Sequence, residues 1–211
     1  MPPNRPSSSL SRPALIAGVF AAVIIGWYAP NLVYPLRLLT VLLHEGGHAL
    51  MTLATGGEVV EIRVNLEESG HTLSRGGIHF LILHAGYLGS LLAGVLLTAT
   101  PAQARGFAVA LAGLSLVALA WIPLFSFGFL YTGLVAAALG VLAWKTSHGT
   151  CRFVLRGLGM FAVADAVRDI LSDFGQGDAA LLQGLTLLPA PVWSVGWLVA
   201  AIAILVWAVR R

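Results

Sequence analysis

Seven apolar stretches dominate this chain, each close to the length that a helix needs to cross the hydrocarbon core of a bilayer. They cover residues 14–28, 36–55, 78–100, 106–124, 125–144, 153–171 and 192–209. Only Pro123 and a short Phe/Ser/Gly stretch separate the fourth from the fifth, so the pattern predicts six or seven transmembrane helices. Of the 211 residues, 58% are hydrophobic and 10% charged, and the mean hydropathy is +0.88. A soluble domain carries far more charge, so we predict an all-α, multi-pass integral membrane protein.

Composition also limits the partners and the domain organisation. The net charge is only +3, with no dense basic cluster, which favours the lipid bilayer and not nucleic acid as the surrounding partner. A single cysteine excludes an intrachain disulfide. The Pro/Ser-rich residues 1–13 predict a disordered tail, and 14–211 predict one transmembrane domain that we expect in the plasma membrane. Its oligomeric state has no sequence signal.

The pattern of polar and apolar residues changes at residues 58–77, which separate two helical stretches. Polar and apolar residues alternate imperfectly over 58–66, the turn-like Glu67-Glu68-Ser69-Gly70 follows, and 71–75 can form a return strand. This pattern predicts a membrane-associated β-hairpin between the second apolar stretch and the third.

The motif that carries chemistry lies in the second apolar stretch. Residues 44–48 read His-Glu-Gly-Gly-His, which is the H-E-x-x-H pattern. On a helix, His44 and His48 are four residues apart and share a face, so both imidazoles can bind one Zn²⁺. Glu45 then lies close enough to serve as the general base without being a ligand. Ionisable residues are costly at membrane depth, which favours a functional site.

A catalytic zinc site needs about three protein ligands, so a third must come from another helix. Asp165 is our first choice because it lies in the sixth apolar stretch, where Asp169 shares its face. Asp178, in the loop-like segment 172–180, is the other alternate. The competing interpretation of Asp165 is a structural ion pair with Arg168 or a neighbouring helix.

Several other residues have structural interpretations. His71 and His79 are expected in or beside the hairpin at the membrane interface, and His84, which is closer to the hydrocarbon, is expected to be hydrogen-bonded. None of the three is expected to bind the metal. Glycines at 46, 47, 86, 89 and 94 would permit close helix approach in a membrane.

Several segments together resemble the site-2 protease family of intramembrane zinc metalloproteases, in its small, minimal-core branch. The early ones are His44-Glu45-Gly46-Gly47-His48-Ala49-Leu50, Thr55-Gly56-Gly57 and Ala85-Gly86-Tyr87-Leu88-Gly89-Ser90. The later ones are Asp165-Ala166-Val167-Arg168-Asp169, Gly177-Asp178-Ala179-Ala180, residues 186–189 and Trp193. In the wider family an aspartate in an Asn-Pro…Asp-Gly context supplies the third ligand. This chain lacks that context, since Ala166 follows Asp165.

The resemblance implies hydrolysis of peptide bonds in membrane-spanning proteins by a zinc-activated water, with Glu45 as general base. It also implies a re-entrant hairpin, here 58–75, that receives the substrate as a β-strand. Two alternatives are a non-catalytic, protease-like scaffold or accessory subunit, with or without a bound metal, and a small transporter. The transporter predicts two similar halves, and the sequence has no such repeat.

Overall fold

The structure is a computed structural model that describes residues 17–18, 21, 24–25 and 28–210, with the side chains of 208–210 set aside. The predicted tail and most of the first apolar stretch fall outside these residues. The elements, in order, are α1 (Pro30–Ala54), β1 (Glu58–Val64), β2 (Gly70–Arg75), α2 (His79–Thr98), α3 (Ala104–Ala118), a 3-10 turn (Leu119–Trp121), α4 (Phe127–Lys145), α5 (His148–Ser172), α6 (Gly177–Thr186) and α7 (Ala190–Arg210). The all-α fold with one β-hairpin is as predicted.

Four helices of the described part are long and apolar enough to cross a bilayer: His79–Thr98, Ala104–Trp121, Phe127–Lys145 and Ala190–Trp207. The other two predicted spans in this part correspond to α1 and α5, which are helices of 25 residues each. They do not belong to the four because they carry charged and imidazole side chains through their middle. These two helices therefore carry polar side chains within the fold, among them His44 and Glu45 of α1 and Asp165 of α5.

The β-hairpin follows α1 directly. Its strands pair antiparallel, with Glu58 opposite Arg75 and Val64 opposite Gly70. A bulge lies between Val59 and Glu61. Because the bulge adds one residue to β1, the buried side chains are those of Val59, Ile62 and Val64, which break strict alternation. This explains the imperfect alternation in the sequence.

Both ends of the hairpin are fastened to α1. At its base, the Ile78 amide donates to Thr55 Oγ1 at 3.1 Å. At its tip, the Tyr34 hydroxyl donates to the Leu66 carbonyl at 2.6 Å, and Arg37 lies 3.2 Å from the Glu68 carboxylate. The hairpin thus runs back along the helix that carries the His-Glu-Gly-Gly-His motif.

The buried apolar side chains form three clusters. One joins α2 and α5–α7 and includes Leu91, Val163 and Leu182. A second joins α2–α5 around Leu155, and a third packs the hairpin on α1 around Ile62. These contacts fix the hairpin, α1 and α6 relative to α2, on which the site depends.

Candidate metal centre and catalytic carboxylate

The two histidines of the motif meet at one point. Their spacing on α1 brings His44 Nε2 to 3.0 Å from His48 Nε2, with the rings nearly perpendicular. The His48 ring is oriented by its other nitrogen, Nδ1, which lies 2.7 Å from the Ile82 carbonyl of α2. A carbonyl can only accept, so the proton is on Nδ1 and the lone pair of neutral His48 is on Nε2, directed toward His44.

A third potential metal ligand, Asp178 of α6, approaches the same point. Asp178 Oδ2 lies 3.2 Å from His44 Nε2 and 3.2 Å from His48 Nε2. The three residues are the group among the described residues whose potential metal-ligand atoms all lie within 4.8 Å of one another. Asp178 lies in the first turn of α6, which begins at Gly177, whereas the sequence had suggested a loop. A carboxylate is favoured in a first helical turn because the helix dipole is positive there.

The spacing of these atoms fits a zinc ion. Ligand atoms about 2.1 Å from zinc at tetrahedral angles lie roughly 3.4 Å from one another. The three observed separations are 3.0, 3.2 and 3.2 Å. The lone pair of His48 Nε2 faces the His44 imidazole and the Asp178 carboxylate. This arrangement is unfavourable unless a proton or a cation lies among the three groups. Two imidazoles and one carboxylate are also a common ligand set of catalytic zinc.

A third helix, α2, contributes a glycine, Gly86, at this point. A Cβ built on Gly86 would lie 2.4 Å from His44 Nε2 and 2.5 Å from His48 Nε2. The missing methyl group of Gly86 therefore leaves the space between the two ring nitrogens open. A side chain there would overlap both ring nitrogens.

Close contact between α1 and α2 depends on further glycines. A Cβ on Gly47 would lie 2.1 Å from the Ala85 carbonyl oxygen, and one on Gly89 would lie 3.1 Å from Gly47 Cα. Farther along α2, a Cβ on Gly94 would lie 2.7 Å from Val163 of α5. These positions behave as predicted. Gly46 does not, because a Cβ there meets nothing within 4 Å.

Glu45 is buried beside the histidines and held by the hairpin. Glu45 is only 4% exposed to solvent. The Thr72 hydroxyl of β2 lies 2.8 Å from Glu45 Oε2, to which it donates. On the other side, Oε1 lies 2.8 Å from the place where a Cβ of Gly70 would be. Both oxygens of the carboxylate therefore lie against β2, in the wall of the cavity that His44, His48 and Asp178 also line.

Asp165 and Asp169 occupy other positions. Asp165 Oδ1 accepts a hydrogen bond from Arg168 Nε at 2.7 Å and lies 3.8 Å from Arg37 Nε. It is therefore part of an ion-pair network that extends through Arg37 to the hairpin tip, and it is not in the group with the histidines. This arrangement corresponds to the competing interpretation of Asp165. Asp169 lines the cavity at the site, 3.7 Å from Arg168.

His71, His79 and His84 do not belong to the three-residue group. His71 and His79 line the cavity, and His84 Nδ1 lies 2.7 Å from the Phe80 carbonyl of its own helix. Two residues near the metal-ligand group had no sequence signal as functional residues. Thr72 is one, and the other is Tyr87, whose ring meets His44 edge-on at 4.6 Å and whose hydroxyl donates to Asp173 at 3.2 Å.

A cavity of about 1090 Å³ opens onto these groups. Its wall includes the metal-ligand group, Glu45 and the β2 residues Gly70, His71, Thr72 and Ser74. One side of the hairpin therefore faces the cavity, while β1 packs its apolar side chains on α1 and on the segment after α3. A cavity of this volume has room for water and for an extended peptide segment.

Comparison with known proteins gives one match. A family model described as Peptidase M50B-like matches residues 15–208, nearly the whole chain. Neither the search of curated proteins nor that of solved structures returned a significant match. The chain belongs to the Peptidase M50B-like family, a site-2 protease family domain, which confirms the resemblance in the sequence. Proteases of this family depend on zinc.

Proposed function

We propose that this M50B-like chain is an intramembrane zinc metalloprotease in which His44, His48 and Asp178 hold the metal and Glu45 transfers the proton. The observation that carries the proposal is the convergence of two imidazoles and one carboxylate onto one point beside a buried glutamate, although His44 and Asp178 are 134 residues apart in sequence. Burying two imidazoles and a carboxylate together is costly, which favours a shared function for them.

Asp178 replaces Asp165 as the proposed third ligand for a physical reason. Asp165 already accepts a hydrogen bond from Arg168 and has a second cation, Arg37, nearby. Asp178 has both histidine Nε2 atoms within 3.2 Å of the same carboxylate oxygen. The second oxygen of a carboxylate remains available for a hydrogen bond or for water.

The chemistry divides between the metal and the chain. When bound, zinc supplies a Lewis acid that polarises a peptide carbonyl and makes a water molecule more acidic. The carboxylate of Glu45 accepts a proton from the attacking water as the oxygen adds to the peptide carbon. The same carboxylate returns that proton to the amide nitrogen as the C–N bond breaks. The products are a carboxylic acid and an amine, and Glu45 is regenerated.

Thr72 sets which oxygen of Glu45 takes part. Its hydroxyl donates to Oε2, which holds the carboxylate in one orientation. Oε1 does not accept this hydrogen bond, so we assign to it the acceptance and release of the proton. A strand of the hairpin therefore acts on the general base directly, although it supplies neither a ligand nor a base.

The substrates that fit this arrangement are membrane-spanning proteins. A helix shields its carbonyl groups by hydrogen bonding, so a spanning segment must unwind locally before hydrolysis. The β2 strand lines the cavity and is at the edge of a two-stranded sheet. An extended substrate segment can pair with such an edge, which keeps its backbone groups hydrogen-bonded within the membrane.

A cleavage reporter tests the proposal. The protein and a single-span substrate are reconstituted in liposomes, and Glu45→Gln is compared with the unmodified chain. We expect zinc content to be retained and cleavage to be lost, because glutamine cannot accept the proton. Glu58→Gln is the matched control, since Glu58 lies exposed at the base of the hairpin. Cleavage by Glu45→Gln at the unmodified rate would contradict the mechanism.

A further inference from the structure

The short helix α6 has two different sides. On one side, Ala179 and Leu182 are fully buried in the apolar cluster that joins α2, α5 and α7. On the other side, Asp178, Leu181 and Leu185 line the cavity at the proposed metal site. Residues three and seven positions after Asp178 lie on its side of a helix. One helix therefore presents a proposed metal ligand and two leucines to the same cavity.

The exposed aliphatic surface of the cavity is concentrated on α6. Leu181 is 60% exposed and Leu185 is 50% exposed. The other aliphatic residues that the described part of the chain contributes to the lining are buried or half-buried: Val41, Ile82 and Leu83. The two leucines are therefore the aliphatic side chains that a molecule in the cavity can contact most fully.

Gly184 enlarges the space beside the two leucines. It lines the cavity, and a Cβ at this position would meet nothing within 4 Å. The missing side chain leaves a recess that Leu181 and Leu185 border. Leu181, Gly184 and Leu185 together form what we call the α6 recess.

Other parts of the cavity wall carry ionisable side chains. Glu67 and Glu68 at the tip of the hairpin line the cavity. Arg168, Asp169 and Asp173 line it at the end of α5. Charged groups retain water around them, so a large apolar side chain beside them would stay in contact with water. In the α6 recess the same side chain would contact leucine.

The strand that faces the cavity leaves room for such a side chain. Three of the β2 residues in the lining, Gly70, Thr72 and Ser74, are small and alternate along the strand. They therefore lie on one side of the sheet. An extended segment paired with β2 directs every second side chain to that same side. Those side chains enter the space between β2 and α6.

The helix geometry sets which substrate residue would reach the α6 recess. Along the axis of α6, Leu181 lies about 4.5 Å and Leu185 about 10.5 Å from Asp178. An extended peptide advances about 3.4 Å per residue. The side chain that meets these leucines is therefore one to three residues from the peptide bond at the metal.

We propose that the α6 recess is a subsite for one large apolar side chain of the substrate, one to three residues from the hydrolysed bond. This inference rests on the proposed protease function and adds a specificity determinant to it. The recess keeps the side chain out of water when the substrate segment leaves the lipid and enters the cavity. The competing explanation is that the two leucines only face lipid, and it predicts equal effects of their replacement on all substrates.

A series of single-span peptides tests the proposal. The host peptide is rich in alanine, and one guest residue, leucine or serine, occupies each of its central positions in turn. Each peptide is reconstituted in liposomes with the full-length, zinc-loaded chain, and mass spectrometry gives the hydrolysed bond and the rate. We expect Leu185→Ser to lower kcat/KM about ten-fold for leucine guests one to three residues from that bond, and to leave serine guests unchanged. Leu134→Ser is the matched control, because Leu134 is an exposed leucine of α4.

A second variant fills the α6 recess without removing a leucine. Gly184→Leu places a side chain in open space, so the fold is retained while the room for a large guest is lost. We expect a similar ten-fold loss for the leucine guests and none for the smaller serine guests. Gly113→Leu in α3 is the control, since a Cβ there also meets nothing within 4 Å.

Binding separates failure of this inference from failure of the proposed function. The same peptides are bound to zinc-loaded Glu45→Gln protein, with and without Leu185→Ser, and fluorescence energy transfer in liposomes gives the affinity. If the unmodified chain hydrolyses no peptide, the protease proposal fails, and weaker binding of leucine guests alone in the Leu185→Ser protein would still support the recess. Equal effects of Leu185→Ser on both guests, or no effect on either, would overturn the recess and leave the protease proposal intact.

Discussion

Gly86→Ala adds one methyl group at the centre of the proposed metal site. Its Cβ would lie 2.4 Å from His44 Nε2 and 2.5 Å from His48 Nε2. Ordinary contacts of a Cβ are 3.4 Å or longer, so each ring nitrogen overlaps the methyl group by about 1 Å. A zinc ion held by the same nitrogens would lie about 2.1 Å from each of them, so the methyl group would also crowd the ion.

Relief of this overlap would require both rings to move. The His48 ring is held by the Ile82 carbonyl, and the His44 ring packs against Tyr87. Zinc sites tolerate deviations of only about 0.2 Å in their ligand distances. A shift near 1 Å therefore predicts that zinc affinity falls by more than about 100-fold, beyond the usual effect of losing a supporting contact.

Zinc per protein chain, measured by mass spectrometry of the purified protein, is the assay. Gly46→Ala is the matched control because its Cβ meets nothing within 4 Å. In both variants alanine favours the helix by roughly 0.5–1 kcal/mol, so loss of metal cannot come from a weaker helix. Circular dichroism verifies that each variant is folded. A Gly86→Ala protein with the full zinc content of the control would refute the reasoning.

Two further predictions concern the contacts around the motif. Gly47→Ala should lower the stability of the protein by about 1–3 kcal/mol, because its Cβ would lie 2.1 Å from the Ala85 carbonyl oxygen, whereas Gly46→Ala should not; thermal unfolding in detergent compares them. Equal melting temperatures for the two variants would argue against the close approach of α1 and α2. Thr72→Val should reduce the cleavage rate about ten-fold at unchanged zinc content, since a hydrogen bond to a charged carboxylate is lost, and Thr72→Ser should restore it. Wild-type turnover of Thr72→Val would mean that the hydroxyl has no part in orienting Glu45.

The sequence predicted the long helices and the β-hairpin because each has a local signal, whereas the short helix α6 was not predicted. Length and apolar composition mark the helices, and the break in texture at 58–77 marks the hairpin. The pair His44 and His48 was also local, because a spacing of four residues on one helix places two side chains together. The positions of α1 and α5 among the helices depend on interior polar contacts. Those contacts join residues that are far apart in the sequence, so no local pattern predicts them.

Local sequence patterns could not predict which residues complete the site. Asp165 and Asp169 share a helix face with each other, but the distance to His44 depends on how α5, α6 and α2 pack. Asp178 reaches the histidines only because α6 packs against α2 and α7 through Ala179 and Leu182. Thr72 reaches Glu45 only because the hairpin folds back along α1. Neither contact has a signature in sequence spacing.

Zinc stoichiometry of Asp178→Asn and Asp165→Asn tests the central claim most directly. Each change removes one carboxylate charge and keeps the shape of the side chain. If Asp178 completes the site with His44 and His48, Asp178→Asn loses bound zinc and Asp165→Asn retains one ion per chain. Zinc retained by Asp178→Asn and lost by Asp165→Asn would contradict the account and assign the third ligand to α5.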